Sequence, residues 1–254
     1  MLGLGTKLNL HGASGSAATG GKTFSNAHSV SFNGVDQNAR WNDPNGPLTA
    51  SLSSDADNGT ISFWIKLDGV SDTRFIFEKG TTDINNYFRV FMSSGNLNVL
   101  GFVSGTNSVF NVYTAPFTVD TWHMVTLVFS KSTYFSTTLY VDGSAVTPST
   151  SIPTSSTTID PGGRSFVGKS FNTSSYSKIE IDEIAAWTSA LSAAEILQLY
   201  TYHDLANDSG NYTSSADLIR WWRLENNALE FTGNGSALTL FNSPSFTTDV
   251  PFTS

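Results

Sequence analysis

Cysteine is absent from all 254 residues, so the chain has no disulfide, no thiolate metal site and no cysteine nucleophile. Charge is also scarce. Asp, Glu, Lys and Arg make up 13% of the chain, about half the usual globular share. Only 13 Lys and Arg stand against 21 Asp and Glu, for a formal charge of −8. A phosphate-backbone binder needs clustered basic residues, so the composition speaks against nucleic acid and, equally, against an anionic membrane surface. No window approaches the ~20 apolar residues of a membrane span. Residues 1–7 lack the basic start and unbroken apolar stretch of a signal peptide. What remains for the surface is Ser, Thr, Asn and Gly, which suits a β protein with many turns.

The length fits one large all-β domain whose core needs no staple. Residues 1–27 are rich in Gly, Ser, Ala and Thr with scattered leucines, the composition of a flexible arm that could order on a neighbouring subunit. Residues 28–254 then read as a single domain. The strongest signal lies at 121–143, TWHMVTLVFSKSTYFSTTLYVDG. Trp122, Met124, Thr126 and Val128 alternate with His123, Val125, Leu127 and Phe129, so both faces are apolar and the strand should be central. Asp142-Gly143 closes the pair as a tight turn, since Gly accepts a positive φ freely and Asp tolerates it.

The same texture continues on both sides. TISFWIKL at 60–67 alternates cleanly. HSVSFNGVDQNARW at 28–41 contains an Asn33-Gly34 turn, and LIRWWRL at 218–224 is a late strand. The Ser, Thr and Pro-rich stretch 148–161 reads as a long loop. A single helix is expected near 193–203. Ser192 is its N-cap, Glu195 completes a capping box, and Leu191 with Ile196 forms a hydrophobic staple. About a dozen short strands and one helix predict an antiparallel β-sandwich or jelly roll.

These segments, in this order, resemble the laminin-G-like, concanavalin-A-like jelly roll. The resemblance rests on SVSFNGVDQNARW, TISFWIKLD, TWHMVTLVF followed by LYVDG, FVGKS, and IEIDEIAAWTSALSAAEILQLY. The family's usual opening strand and loop find their match at the end of this chain, in WWRLENNALEFTGNGSALTLFN (221–242), so the segment 218–242 looks permuted. It could pair within its own chain or swap into a neighbour. Permuted modules with a Gly-rich start and a TTDVP-like tail resemble virion structural proteins of marine bacteriophages. That resemblance implies an extracellular particle surface as the location, and other virion subunits as partners.

Glucanases of this fold carry alternating Glu, Asp and Glu on one strand, the outer pair acting as nucleophile and acid. Glu180 and Asp182 fit, but Ile184 occupies the third position. Alternation turns Glu183 to the opposite face, so no catalytic residue is expected. The four histidines, His11, His28, His123 and His203, lie in no nucleophile elbow, and His123 reads as a satisfied core histidine. No cofactor is expected, with calcium the one candidate metal. Its ligands would be Asp36 (with Asn38), Asp43 or Asp182, although no loop has the acidic density of a dedicated site. Glycan binding is what the resemblance implies, and sugars stack on exposed aromatics. Trp41, Tyr87, Tyr134, Phe135 and Tyr176 are the candidates, with Tyr113 a further strand-end tyrosine. Two other readings stay open: a free-standing lectin module and a glycoside hydrolase.

Overall fold

The computed structural model describes residues 25–41, 58–80, 86–103, 106–114, 117–131, 135–153, 164–171 and 173–253. Residues 1–24 of the expected arm lie outside that set, as do Asp43 and Tyr134.

Two antiparallel sheets face each other. The first is ordered β10 (Ser144–Val146), β9 (Phe135–Val141), β8 (Trp122–Lys131), β3 (Asn58–Lys66), β13 (Lys178–Trp187), β1 (Ser29–Asn33) and β16 (Ser245–Thr247), with β14 (Leu218–Trp222) also paired to β13. The second runs β11 (Thr150–Pro153), β7 (Thr106–Thr114), β6 (Asn96–Val103), β5 (Asn86–Ser93), β4 (Arg74–Gly80), β12 (Arg164–Val167), β2 (Asn38–Trp41) and β15 (Thr239–Phe241). This is the concanavalin-A-like jelly roll. Strand β11 falls inside the stretch expected to be loop. It is an edge strand on β7, a position in a sheet that tolerates proline.

The central position expected for β8 holds, because it pairs with β3 on one side and β9 on the other. Its Val125, Leu127 and Phe129 enter the core between the sheets, with Phe63 and Ile65 of β3 and Phe88, Val90 and Met92 of β5. Its Met124 faces outward, yet is also buried. The reason is helix α1 (Ala193–Tyr202), which lies over the outer face of the first sheet. Leu191, Ile196 and Leu199 pack there on Trp64, Met124, Ala185, Trp187 and Trp221. The capping box is formed as expected: Ser192 Oγ accepts from the Glu195 amide at 3.3 Å, and Glu195 Oε2 accepts from the Ser192 amide at 2.9 Å. Leu191 and Ile196 are both buried in the same cluster, as a staple requires. Asp142 and Gly143 take φ of 51° and 76°. A Cβ on Gly143 would come within 3.0 Å of Leu197, so this turn is glycine for its backbone and for the helix pressed against it.

His123 is the satisfied histidine anticipated. Its Nε2 accepts from the Thr118 amide at 3.0 Å, so Nδ1 carries the proton and donates to Asp142 at 2.7 Å. The C-terminal segment crosses both sheets of its own chain. β14 joins β13, β15 joins β2 and β16 joins β1. Beyond β16, Asp249 accepts from the Trp122 indole at 2.8 Å and pairs with Lys66, and Phe252 stacks on His203 at 3.8 Å between centroids.

Candidate functional site

The helix covers one outer face only. Among the described residues no element packs on the outer face of the second sheet, and the strand register shows what that face carries. In β5 the inward set is Phe88, Val90 and Met92, so Tyr87, Arg89 and Phe91 point out. Pairing aligns them in rows across the sheet. One row runs Arg40 (β2), Phe166 (β12), Glu78 (β4), Arg89 (β5), Leu100 (β6) and Phe110 (β7). The next runs Arg164 (β12), Gly80 (β4), Tyr87 (β5) and Phe102 (β6).

Tyr87 and Phe102 stack at 5.1 Å with planes 20° apart, and Phe171 leans on Tyr87 at 5.4 Å. Phe75 stacks on Phe91 at 6.1 Å. All five rings are half-buried. The Arg89 guanidinium lies 4.7 Å from the Tyr87 ring centre and 5.0 Å from that of Phe75, within cation–π range. Glu78 pairs with Arg89 and accepts from the Phe171 amide at 2.7 Å. Glu78 is fully buried. Burial pushes its carboxyl up to about 7, against the opposing pull of Arg89 and its hydrogen bonds. The hairpin that presents Phe171 is pinned by a bridge between Lys169 and Tyr176, with the Lys169 ammonium 4.9 Å from the Tyr176 ring centre.

A flat aromatic platform with fixed polar groups beside it can stack the apolar face of a sugar ring and hydrogen-bond its hydroxyls. Of the aromatics expected to bind, Tyr87 is on this platform and Tyr176 is on the adjoining hairpin. Trp41 corrects the expectation: it is 4% exposed, with its ring 4.8 Å from Trp222 and 5.7 Å from Phe77. It shares the inward face of β2 with Ala39, so its ring lies in the core between the sheets. Tyr113 is equally interior. Phe135 begins β9 opposite Lys131. The sequence reading missed Arg89, Phe91, Phe102 and Phe171. The alternation in NYFRVFMS was visible, but both of its faces are apolar, so period alone does not say which is outside.

The two calcium candidates are held by protein groups. Asp36 Oδ1 accepts from Asn33 Nδ2 at 3.0 Å within its own surface turn, and its carbonyl accepts at 2.9 Å from Asn242 Nδ2 of the C-terminal segment. Asp182 is fully buried, accepts from Asn26 Nδ2 at 2.9 Å and caps the Glu183 amide at 2.9 Å. Among the described residues no cluster of three or more His, Asp or Glu is arranged to hold a metal.

Glu183 overturns the simple alternation argument. β13 pairs with β1 through Ile181 and with β14 from Ile184 onward, and its register on β3 slips between Asp182 and Ala185. At that bulge Glu183 takes a φ of 49°, which turns its side chain into the layer under the helix. There it accepts from the Trp221 indole and from Arg223 Nε at 3.4 Å, and lines a small cavity with Trp64, Trp187 and His203. Burial pushes both Asp182 and Glu183 up, and the Glu183 charge adds to the rise at Asp182. Glu180 is paired to Lys66 at 2.9 Å. Ile184, at the third position of the glucanase pattern, is in the core.

The architecture and the open aromatic sheet define a lectin-like jelly roll. The chain belongs to the concanavalin A-like lectin/glucanases superfamily, whose laminin-G-type family model matches residues 19–197. Among solved structures it is similar to a heptameric SAP-like pentraxin from Limulus polyphemus, at 15% identity and a TM-score of 0.55, over 89% of this chain and 97% of that one. It is similar to a putative carbohydrate binding protein from Bacteroides ovatus, at 16% identity and a TM-score of 0.60, over 88% of this chain. The match spans 60% of that protein's length. A third is the CBM40 module of a Ruminococcus gnavus IT-sialidase bound to α2,3-sialyllactose, at 12% identity and a TM-score of 0.51, over 69% of this chain and 99% of the module. At these identities the likeness is one of fold. No curated protein shows significant similarity to the sequence.

Proposed function

We propose that this protein is a non-catalytic glycan-binding jelly roll that decorates the surface of a phage particle. The observation that carries the glycan reading is the stacked Tyr87–Phe102 pair, flanked by Phe171 and Arg89, on the sheet face that α1 leaves open. The similarity in fold to a putative carbohydrate binding protein and to a sialidase module adds support. The absence of catalysis is supported at β13, where Asp182 and Glu183 are buried and bonded and the third carboxylate position is an isoleucine. Placement on a particle rests on the resemblance of the Gly-rich start and TTDVP tail to phage virion proteins.

A glycan array tests the first element. The chain should retain at least one oligosaccharide, and Tyr87→Ala should abolish retention while leaving the melting temperature within a few degrees, since Tyr87 is only half-buried. Unchanged retention by the variant would remove the platform from the proposal. Incubation with laminarin or lichenan should release no reducing sugar. On sizing, the full chain should run as a multimer, and removing residues 1–24 should return it to monomer; a monomeric full chain would sink the particle assignment.

A further inference from the structure

Basic residues are few in this chain, yet the strands of the second sheet carry Arg40, Arg74, Lys79, Arg89 and Arg164 with a single acid, Glu78. Arg74 is matched by Asp68 at 2.9 Å and Arg89 by Glu78. Arg40 and Arg164 differ. No carboxylate among the described residues pairs with either. They sit on adjacent strands and face the same way, because Arg40 is registered with Phe166 and Arg164 lies two residues before it on β12. Their charges act on each other: burial first, and then Arg164, lower the Arg40 guanidinium below its ordinary range. The Arg40 Nε is buried without any hydrogen-bond acceptor, and its guanidinium lies 4.5 Å from the Phe241 ring centre. Two like charges side by side, one with an unmet donor, form an arrangement that an anion would complete.

The position of the pair relative to the aromatic platform gives the anion a carrier. Arg164 is in the same cross-strand row as Tyr87, separated only by Gly80, which has no side chain. Two strand spacings put them about 10 Å apart, a span that two linked pyranose rings cover, with only Gly80 between them in the row.

We infer that Arg40 and Arg164 form an anion subsite of the glycan-binding face, and that the ligand is an acidic oligosaccharide with a carboxylate or sulfate group. Its sugar ring stacks on Tyr87 and Phe102, and its anionic group lies between the two guanidiniums. This inference rests on the glycan reading of the same face. The planar guanidiniums supply paired N–H donors that fit carboxylate and sulfate alike. The charge complementarity concentrates an anionic ligand on one sheet of a protein that otherwise repels it.

The test is titration calorimetry of the full chain with polygalacturonate (carboxylated), heparin (sulfated) and dextran (neutral). Three variants are compared with the native chain: Arg40→Gln/Arg164→Gln, Tyr87→Ala, and Lys178→Gln, an exposed lysine on the other sheet. We expect one of the two acidic polymers to bind more tightly than dextran, with affinity falling as salt rises. We expect the double arginine variant to lose about tenfold or more, the scale of a lost charge-assisted hydrogen bond, and Lys178→Gln to lose almost nothing. The polymer that responds decides between carboxylate and sulfate. If dextran binds as tightly as both acidic polymers, or the double variant loses no more than Lys178→Gln, the anion subsite is overturned and the glycan reading stands. If no polymer binds and Tyr87→Ala changes nothing, the glycan reading itself fails. A change in oligomeric state caused by the double variant would overturn the subsite by assigning the arginines to a contact between copies.

Discussion

Glu78 shows how one buried acid ties the site to stability. Its carboxyl rises from 4.5 to about 7, chiefly through burial. Between those values the folded protein holds a proton that the unfolded chain releases, so stability contributed by Glu78 is full below about 4.5 and is lost as pH rises through about 7. Asp182 and Glu183 act in the same direction. His203 acts the other way: burial lowers it from 6.5 to about 4, so its contribution is present above 6.5 and is lost as pH falls through about 4. A single variant separates the effects. Glu78→Gln should gain in melting temperature relative to the native chain as pH is raised from about 5 to about 8; a difference that stays flat across that range would mean Glu78 is ionised throughout. Trp41 and Tyr87 are both aromatics near strand ends, but Trp41 is sealed by Trp222 and Phe77 whereas Tyr87 is half-buried on the face away from α1.

Among the elements, α1 decides which sheet can bind a ligand. Its N-terminus was legible because capping chemistry is local: Ser192, Glu195, Leu191 and Ile196 are all within five positions. Glu195 does more than local rules require. Its Oε1 accepts from the Thr213 amide at 3.2 Å, the Thr213 hydroxyl at 3.2 Å and the Ser214 hydroxyl at 2.6 Å. Those bonds, working against burial, hold its carboxyl down at about 2. The helix start is thereby tied to the segment leading into β14. Urea unfolding should show Ser192→Ala costing about 1 kcal/mol, the usual value of an N-cap, with Glu195→Ala costing more because five protein donors lose their acceptor. Equal losses would reduce Glu195 to its capping role. The Glu195 contribution is present above 4.5 and is lost as pH falls toward about 2. Strand β13 teaches the opposite lesson. Alternation placed Glu183 on the wrong face because a bulge is a tertiary accommodation, made here where β13 exchanges β1 for β14 as its neighbour.

At the scale of the whole molecule, the chain closes on itself through its last ten residues. β16 pairs with β1, Asp249 holds Lys66 and the Trp122 indole, the Asp249 carbonyl accepts from Ser29 Oγ at 2.7 Å, and Phe252 lies against His203 and Trp64. Removing residues 245–254 should lower the melting temperature by several degrees, because at least ~2 kcal/mol of burial and charge-assisted bonding is lost. It should also shift tryptophan emission to the red as Trp64 and Trp122 become wetter. An unchanged spectrum would show that the tail is dispensable for the layer under the helix. The first strand, β1, is therefore framed by residues far apart in sequence.

The sequence by itself determined the sandwich, the central β8, the Asp142-Gly143 turn, the capped helix and the neutral polar surface, because alternation, turn chemistry and capping act between neighbours along the chain. Only the tertiary structure decided which outer face is covered, which aromatics are core, and which side Glu183 takes. Those outcomes depend on pairings between residues up to two hundred positions apart. It also brought Arg40 and Arg164 side by side on β2 and β12, with no carboxylate among the described residues paired to either. Strand register, not sequence spacing, set their distance from each other and from Tyr87.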